Sequence, residues 1–423
     1  MTALAGLALL AWAYLLLAHG RFWQAGPILA AAQPSEAPAV DVVIPARDEA
    51  ESIEATLRSL LAQRYPGPLR IILVDDNSSD GTGNLARRAA PQFFEASSSC
   101  ASAPAHTLVT PGLDPGVQSI GGGACRTMDP RVKPGGDDIG EVSAPFTLTV
   151  IHGAPRPPGW SGKLWAVAQG VERCTADLIL LTDADIVHDP EHVATLVAKA
   201  EAGRLDLVSE MVELRAESLA ERALVPAFVF FFQLLYPFAR VNDPASATAA
   251  AAGGTMLVRR AALERIGGIA SLRGALIDDV TLAARIKRGG PIYLGHSRLA
   301  RSLRPYPEAA DIWRMVARTA YVQLRFSPLL LLGTVLGLAV IWLAPPLLTL
   351  LAAGPGRWMA ALAWAGSAAS YLPTLRRFRQ SPLWALALPG IALFYMAATI
   401  GAALDHHRGR GVVWKSRAYG ARA

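Results

Sequence analysis

The sequence predicts an α/β protein with a mostly parallel sheet flanked by helices, an N-terminal anchor helix and C-terminal transmembrane helices. Between residues 40 and 190, short apolar runs alternate with amphipathic segments, a rhythm typical of β-α-β units. Long uncharged stretches stand near both ends of the chain. Apolar residues make up 52% of the 423 residues, which is more than an ordinary soluble protein carries.

The uncharged stretches divide the chain into parts. These are an N-terminal transmembrane anchor (1–20), a cytoplasmic α/β domain (38–304), interfacial helices (305–327), about three transmembrane segments (328–404) and a basic tail (405–423). No Lys or Arg precedes the first stretch, so we expect an anchor and not a cleaved leader. Arg21 follows this stretch, which predicts that the long middle region is cytoplasmic.

The orientation of the C-terminal segments stays open. The three stretches of spanning length are Pro328–Ala353, Trp358–Leu375 and Pro382–Leu404. Three spans after a cytoplasmic domain would put the basic tail on the far side of the membrane, against the usual charge bias. Either one segment is re-entrant, with Pro345–Pro346 or Pro389–Gly390 as its break, or the bias does not hold for this chain.

Charge and cysteine content argue against other classes of protein. The net charge is +6, but the basic residues gather in loops beside apolar stretches and form no stripe interleaved with aromatic residues. We therefore expect no nucleic-acid partner. The three cysteines form no CxxC pair and no metal-binding spacing, which is typical of a protein in a reducing compartment.

Four apolar runs predict strands of the parallel sheet. They are Val40–Ile44, Ile71–Val74, 147–153 and Leu178–Leu181. Helical patterns follow the first and the third, as connections between parallel strands require. Residues 95–146 break this rhythm because they are rich in Ser, Gly and Pro and lack periodicity. We expect a disordered insertion there that takes no part in the chemistry.

Two acidic clusters follow predicted strands. Asp183 and Asp185 end the fourth strand, and residues two apart on an extended chain face the same way. Asp75 and Asp76 end the second strand, although acidic residues also favour turns for structural reasons alone. Ligands of open α/β sheets bind at the carboxyl ends of the strands, so we expect both clusters at one edge. There, Asp183 and Asp185 would suit a hard divalent cation that grips phosphate oxygens.

The motifs, taken in order, resemble those of a known family. They are VVIPARDE, VDDNSSDGT, GWSGKLWA, LLTDAD, AAGGTMLVRR and ALIDDVTLAARI. The set resembles the inverting family-2 glycosyltransferases, which have a GT-A-type (nucleotide-diphospho-sugar transferase) fold. The anchor-and-spans layout and the stretch GAPRPPGWSGKLWAVAQG resemble the hopanoid (hopene)-associated membrane glycosyltransferases, relatives of the ceramide glucosyltransferases. The resemblance implies a metal-dependent hexosyltransferase of a bacterial-type inner (plasma) membrane, with a UDP-sugar donor and a lipid acceptor.

The resemblance also implies roles for residues at matching positions. The donor-binding set is Pro45, Ala46, Arg47, Glu49, Asp75, Asp76, Lys163, Asp183, Gly253 and Gly254. Within this set, Asp76 would bond the uracil ring. Asp183 and Asp185 would hold Mn²⁺ or Mg²⁺, which neutralises the diphosphate leaving group. Asp278 and Asp279 match the catalytic acidic pair, in which Asp279 would be the general base for the acceptor hydroxyl.

Structural explanations stand beside two of these assignments. Lys163 could be a solvated surface lysine and not a phosphate ligand. Asp278 and Asp279 could instead cap the helix that follows them. His188 and His192, with a glutamate before the second, spell an inverted zinc-protease motif. A proline between them tolerates only a helix's first turn, so we expect no zinc site there.

Acceptor or interface residues are expected in two segments. Residues 224–241 are too short to span a membrane and too apolar for water, so they form a buried core helix or, as we prefer, an interfacial helix. This helix would bring Phe230 and Phe231 to the acceptor opening. In YVQLRFSP, Arg325 matches a motif of processive relatives, whereas its Trp is absent and Gln323 stands near its polar position. We therefore expect no polymer synthesis.

Two other functions stay open. A polyprenyl-phosphate glycosyltransferase would need a basic clamp for the acceptor phosphate, which Arg298, Arg301 and Arg304 could supply. A catalytically inactive membrane scaffold of a lipid pathway would keep the fold without the chemistry. Such a scaffold would have no need to retain its metal-type and base-type aspartates together.

Overall fold

The computed structural model describes residues 1–89 and 146–409, together with the backbone of two short strands, Val412–Trp414 and Arg417–Tyr419. The expected insertion at 95–146 lies outside the described residues except for Phe146, where a strand begins. The basic tail (405–423) lies only partly within them. The described residues comprise an N-terminal helix, an α/β domain and a set of C-terminal helices.

A single eight-stranded sheet forms the α/β domain. Its strands are β1 (Val40–Ala46), β2 (Leu69–Asp75), β3 (Phe146–His152), β4 (Leu178–Thr182), β5 (Ile186–His188), β6 (Leu207–Glu213), β7 (Thr255–Arg259) and β8 (Ile292–Ser302). Their order is β3-β2-β1-β4-β7-β6-β8-β5. The four strands expected from the apolar runs are neighbours in this order and pair in parallel.

The prediction of a mostly parallel sheet needs correction, because the sheet is mixed. Strand β7 runs antiparallel to both of its neighbours, β4 and β6, and β5 runs antiparallel to β8. A parallel crossover requires a helix that packs back on the sheet. The long helix between β6 and β7, Leu219–Leu235, packs instead on other helices, and β7 therefore enters the sheet from the opposite direction.

Helices cover both faces of the sheet and form a separate layer beyond it. In chain order they are α1 (Thr2–Leu17), α2 (Ile53–Leu61), α3 (beginning at residue 82), α4 (Gly162–Val171), α5 (His192–Gly203), α6 (Leu219–Leu235), α7 (Phe238–Val241), α8 (Arg260–Arg265), α9 (Asp278–Lys287), α10 (Ala309–Gln323), α11 (Pro328–Leu338), α12 (Ala344–Leu351), α13 (Pro355–Arg377) and α14 (Trp384–His407). A single π-helical segment, Ala339–Leu343, joins α11 to α12.

The core explains why the central strands are apolar along their whole length. Alternate residues of β1 point to opposite faces: Val42 and Ile44 pack with α2 and α5, whereas Val43 packs with α4. Strand β4 divides in the same way, with Leu180 on the first face and Ile179 on the second. Since helices cover both faces, every position of these two strands except the partly buried Pro45 is buried, which is the usual pattern of a parallel strand inside a sheet.

The C-terminal helices include two that are long and apolar enough to cross a membrane. They are Pro328–Leu351, with a mean hydropathy of 2.1, and Trp384–His407, with 1.8. Helix α13 is 23 residues long, but polar residues on its buried side, including Ser367, Ser370 and Thr374, lower its hydropathy. Helix α1 has 16 residues. The expected count of about three C-terminal spans stays a prediction.

These helices pack against one another through an apolar cluster that is separate from the clusters on the two faces of the sheet. Its centre is Trp12 of α1, Phe230 of α6, Trp342 in the π-helical segment and Tyr371 of α13, all at most 1% exposed. Helices α10 and α14 complete it. The helix α6 thus lies between the sheet domain and the C-terminal helices and joins the two parts of the chain.

Candidate active site

The loops after β1 and β2 lock together at one edge of the sheet. Arg47 donates to the backbone carbonyl of Asp76 at 2.5 Å, and the Asp76 N–H donates to the carbonyl of Ala46 at 2.8 Å. Asp75 accepts from the backbone N–H of Ser78 at 3.0 Å and supports the turn. Both aspartates are buried. They lie where the sequence predicts, beneath the loop that was assigned to the base of the donor.

Helix α4 brings a lysine to the same edge. Ser161 begins the helix and accepts from the Leu164 N–H at 3.2 Å. In the first turn, Lys163 Nζ lies 2.7 Å from Asp183 and 4.0 Å from Asp278. Burial disfavours the charged ammonium, but these carboxylates outweigh it and raise the pKa of Lys163 above its ordinary value. Lys163 is therefore a partly buried, paired side chain and not a solvated surface lysine.

Arg304 neutralises the second acid of the predicted metal pair. Strand β5 pairs with the end of β8, and the Leu303 N–H donates to the Asp185 carbonyl at 2.8 Å. Arg304 therefore stands beside Asp185, and its Nε donates to that carboxylate at 2.7 Å. A second guanidinium nitrogen donates to Glu49 at 2.8 Å. Burial opposes the charge, but Asp185 and Glu49 raise the pKa of Arg304 above its ordinary value.

Asp279 lies on a glycine floor at the start of α9. Its Oδ2 accepts from the Gly253 N–H at 3.0 Å, and its Oδ1 accepts from the Val280 N–H at 2.7 Å. A Cβ at Gly253 would come within 3.3 Å of this carboxylate, so the glycine permits the close approach. Burial and the neighbouring Asp278, partly offset by Lys163, raise the pKa of Asp279 to about 7.

The capping alternative for Asp278 and Asp279 holds only in part. The residue before α9 is Ile277, whose side chain offers no cap, and the two aspartates are the first residues of the helix. One oxygen of the Asp279 carboxylate accepts from the Val280 N–H of its own helix, whereas the other reaches across to Gly253, 26 residues earlier in the chain.

The second glycine of the floor is tied to the end of β4. The Thr182 hydroxyl donates to the carbonyl of Gly254 at 2.8 Å. A Cβ at Gly254 would come within 3.2 Å of both methyl carbons of Val212. A larger residue would therefore push the floor away from β6. The strand end that carries Asp183 is held to the floor beneath Asp279 by this contact.

The two histidines of the zinc-like motif lie behind this strand end. The Nδ1 atoms of His188 and His192 are 2.9 Å apart and share a hydrogen bond. His192 Nε2 lies 3.2 Å from Glu210, and His188 Nε2 lies 3.2 Å from the Thr182 hydroxyl. His188 lies on β5 and His192 lies on α5. The two histidines therefore do not lie within one helix, which agrees with the prediction from the proline between them. They form a buried polar chain.

Two acidic pairs, Asp183 with Asp185 and Asp278 with Asp279, open into one cavity of about 570 Å³. The polar part of its wall consists of Pro45, Glu49, Lys163, Asp183, Asp185, Gly253, Gly254, Asp278, Asp279 and Arg304. The rest is largely apolar and comes from α6, α10, α11 and α14, with Phe231, Leu235, Leu338 and Tyr395 among its residues. Arg318 adds a cation on the α10 side. The structure therefore joins six of the ten predicted donor residues, together with the predicted metal and base pairs, to the apolar helices in one space. The other four predicted donor residues do not line this cavity; they are Ala46, Arg47, Asp75 and Asp76.

The predicted acceptor residue Phe230 is not on this wall. Phe230 is fully buried, and its ring lies 5.0 Å from that of Tyr371 and 5.5 Å from that of Phe22. Its neighbour Phe231 lines the cavity. Successive residues of a helix point about 100° apart, so one of the two faces the opening while the other packs into the core. Helix α6 is packed among other helices, closer to the core-helix alternative than to a free interfacial helix.

The other two acceptor residues also separate. Gln323 lines the cavity near the end of α10 and donates to the Tyr236 hydroxyl at 2.6 Å. Arg325 follows the end of α10 with a left-handed backbone (φ 52°) and does not line the cavity. The partial motif therefore contributes its glutamine, and not its arginine, to this space.

The donor set around Asp183 and Asp185 fits a divalent cation that arrives with a phosphate ligand. Both are hard oxygen donors at one strand end, as Mg²⁺ and Mn²⁺ prefer. Among the described residues, no group of three or more His, Cys, Asp or Glu side chains is arranged to hold a metal unaided. Two carboxylates plus substrate phosphates is the usual protein environment of Mg²⁺.

Sequence comparisons place the chain among known glycosyltransferases. The profile described as "Glycosyl transferase family 21" matches residues 146–423, and that described as "Glycosyl transferase family 2" matches residues 41–97. No curated protein sequence matches the chain.

Three solved structures are similar to this chain to different degrees. The mannosyltransferase PcManGT from Pyrobaculum calidifontis, solved with GDP-Man and Mn²⁺, has a TM-score of 0.51 at 19% identity and covers 95% of this chain and 99% of its own. S. aureus TarS, solved with UDP-GlcNAc, has a TM-score of 0.37 at 10% identity and covers 90% and 95%. The glucosyl-3-phosphoglycerate synthase from Mycobacterium tuberculosis, solved with Mn²⁺ and UDP-glucose, has a TM-score of 0.34 at 17% identity and covers 66% and 77%.

The first of these similarities extends over nearly the whole of both chains and gives the protein a GT-A-like fold with a mixed sheet. The family-21 match covers well over half of the chain and includes β4, both catalytic-type acidic pairs and the C-terminal helices. The protein is therefore a glycosyltransferase and belongs to glycosyl transferase family 21.

Proposed function

We propose that the protein is a membrane-bound, inverting and metal-dependent hexosyltransferase that moves a sugar from a UDP-sugar to a lipid hydroxyl. The observation that carries this proposal is the shared cavity, which has both acidic pairs at one end and an apolar wall from four helices at the other. A sugar nucleotide suits the first end and a lipid suits the second. The resemblance of GAPRPPGWSGKLWAVAQG to hopanoid-associated enzymes supports a hopanoid-type acceptor.

The donor half of the proposal rests on the residues of the sheet edge. The interlocked loops of Arg47 and Asp76 would bind the base, and the Gly253–Gly254 floor would lie under the sugar. Asp183 and Asp185 would hold Mn²⁺ or Mg²⁺, which supplies positive charge to the leaving diphosphate. Lys163, already within the cavity, would add a second positive charge beside the phosphates.

The acceptor half rests on Asp279. Its carboxylate is oriented by two backbone N–H groups and has a pKa of about 7, which suits a general base near neutral pH. The carboxylate would take the proton of the lipid hydroxyl while the hydroxyl oxygen attacks the anomeric carbon. The bond from that carbon to the diphosphate oxygen breaks on the opposite face. One such displacement inverts the anomeric configuration.

The apolar wall supports a lipid acceptor that reaches Asp279 without leaving the helices. Phe231 of α6 and Leu338 of α11 line the same cavity as Asp279. Helices α11 and α14 belong to the two segments that are apolar enough to cross a membrane. A lipid tail beside these helices would present its hydroxyl to the polar end of the cavity.

A polyprenyl-phosphate acceptor is the second candidate, and Arg318 on the cavity wall is the observation that favours it. The side chains of Arg298 and Arg301 are exposed and do not line the cavity, and Arg304 is engaged by Asp185 and Glu49. A raised pKa at Asp279 is useful for deprotonating a hydroxyl, whereas a phosphate oxygen is already ionised at neutral pH. These facts favour the hydroxyl.

Purified enzyme in lipid nanodiscs tests the proposal. We expect UDP to bind more tightly with Mn²⁺ than without it, and UDP-sugar to be converted only when the lipid acceptor is present. Mass spectrometry of lipids from cells with and without the protein should identify a glycosylated hydroxyl. A product with a sugar phosphodiester would favour the second candidate, and enzyme that binds neither UDP nor a UDP-sugar would contradict both.

A further inference from the structure

Lys163 and Arg304 each pair with one of the two carboxylates that would bind the metal. Asp183 pairs with Lys163 at 2.7 Å, and Asp185 pairs with Arg304 at 2.7 Å. Arg304 spans two acids, because it also contacts Glu49 at 2.8 Å. Asp185 is only 7% exposed, so its oxygens have little room for a solvated ion while the guanidinium is in place.

We infer that Arg304 competes with the divalent cation for Asp185 and thereby makes metal binding depend on a nucleoside diphosphate. This inference rests on the proposed nucleotide-sugar function. A metal that binds alone must separate Arg304 from Asp185 and must leave two cations near one another in a partly buried space, which is costly. A diphosphate supplies the negative charge that the displaced cations then lack.

The charges at the acidic end of the cavity support this dependence. Five carboxylates face two cations there, Lys163 and Arg304; the acids are Glu49, Asp183, Asp185, Asp278 and Asp279. A diphosphate alone would meet this excess of negative charge, and a divalent cation reduces the excess. Because binding linkage is reciprocal, a metal that tightens diphosphate binding is itself bound more tightly in the presence of the diphosphate.

The position of Arg304 favours a role in metal competition over a purely structural one. Its side chain is 33% exposed and lines the cavity, so it can leave Asp185 without unfolding β8. Glu49 retains it after such a movement, because this acid lies on the loop after β1 and not on the metal-type strand end. Arg304 is therefore a positioning residue that acts through Asp185.

The test measures Mn²⁺ binding to the full-length enzyme in nanodiscs by electron paramagnetic resonance, with Mn²⁺ alone and with saturating UDP or GDP. For the unmodified enzyme we expect about tenfold or stronger tightening by the nucleotide. In Arg304→Gln, Mn²⁺ alone should bind about tenfold more tightly than in the unmodified enzyme, and the tightening by nucleotide should shrink. A merely structural arginine would not improve metal binding when removed.

Controls separate this effect from other causes. Arg304→Lys keeps one charge but cannot bridge Asp185 and Glu49 as a fork, so its affinity for Mn²⁺ alone should lie between the other two. This variant also carries the test if Arg304→Gln does not fold. Arg301→Gln changes an exposed arginine near the end of β8, shortly before Arg304 and outside the cavity, and should leave Mn²⁺ binding unchanged.

The outcomes are distinct for the two proposals. If UDP or GDP binds normally but the affinity for Mn²⁺ alone is unchanged or weaker in both Arg304 variants, the inference is wrong and the proposed function stands. If neither nucleotide binds the unmodified enzyme, with or without Mn²⁺, the proposed donor is wrong and the inference falls with it.

Discussion

The two acidic pairs of the cavity contain the same residue type but differ in their partners. Asp183 and Asp185 are each matched by a cation at 2.7 Å. Asp278 and Asp279 have one shared cation, Lys163, which lies 4.0 Å from Asp278. The pKa of Asp279 rises to about 7. Burial is the largest cause of that rise, Asp278 adds to it and Lys163 opposes it. The comparison teaches that the surroundings of a carboxylate, and not the motif alone, set its affinity for a proton.

Removing the base-type carboxylate should have the largest effect on turnover. Asp279→Asn keeps the size of the side chain but cannot accept a proton, so transfer to lipid should fall by about 10²- to 10⁴-fold. Radiolabelled sugar transfer in nanodiscs measures it. Asp177→Asn is a matched control, because Asp177 is 83% exposed and pairs with Arg260 away from the cavity. A transfer rate within tenfold of that of the unmodified enzyme would show that Asp279 is not the general base.

Replacing Lys163, which lies near Asp183 and Asp278, should affect both UDP binding and the pH dependence of activity. In Lys163→Met, the affinity for UDP should fall by about ten- to a hundredfold, as expected for loss of a charged phosphate contact. Because Lys163 lowers the pKa of Asp279, the rise of activity with pH should also move to higher pH. Titration of UDP and a pH profile measure the two effects. An unchanged pH profile would show that Lys163 does not influence the pKa of Asp279.

The apolar wall offers a comparison between neighbouring phenylalanines. Phe231→Ala should lower kcat/KM for the lipid by about tenfold and leave UDP binding unchanged, since only a wall contact is lost. Phe230→Ala should instead lower stability by about 3–5 kcal/mol, because it leaves a cavity among packed rings. Thermal unfolding and lipid kinetics distinguish them. Equal effects of both changes on lipid kinetics would contradict the assignment of the cavity wall.

The smallest expected effect is a shift in pH dependence. The rate should rise with pH through about 7, because Asp279 must lose its proton to act as a base. In Asp278→Asn, this rise should move to lower pH, because the neighbouring negative charge contributes to the raised pKa. A pH profile of kcat/KM measures it. A shift to higher pH would show that Asp278 does not act on Asp279 in this way.

The same pKa shift has a consequence for stability. The folded-state pKa of Asp279 lies above the ordinary value of 3.8, so the fold favours the protonated carboxyl group. Its contribution to stability is present below the unfolded-state pKa and is lost as the pH rises through about 7. Asp279→Asn should therefore unfold at a higher temperature than the unmodified enzyme above pH 7.

The parts of the site that follow directly from local sequence could be predicted. The apolar runs that form β1, β2 and β4 are buried on both faces, so their strand character is visible in the sequence. Strand β3 lies at the edge of the sheet and alternates exposed with partly buried residues over most of its length. The carboxyl ends of parallel strands meet at one edge, which brings Asp76 and Asp185 to the same side of the sheet.

The remainder depends on contacts between distant segments. Arg304 reaches Asp185 only because β5 pairs with the end of β8, and the two residues are 119 positions apart. The antiparallel direction of β7 follows from the packing of α6 on other helices. In the run of three phenylalanines within α6, apolarity alone does not indicate which ring faces the cavity, and Phe230 was therefore misplaced.

The central claim is that Asp185 helps to hold the metal whereas Asp279 acts as the general base. Calorimetric titration of UDP, with and without Mn²⁺, on Asp185→Asn and Asp279→Asn tests this claim directly. Asp185→Asn should lose the tightening of UDP binding by Mn²⁺, because it removes one of the two carboxylates that would hold the metal. Asp279→Asn should keep that tightening although its sugar transfer falls by about 10²- to 10⁴-fold. The opposite pattern, with Mn²⁺-dependent binding retained in Asp185→Asn and lost in Asp279→Asn, would contradict the account.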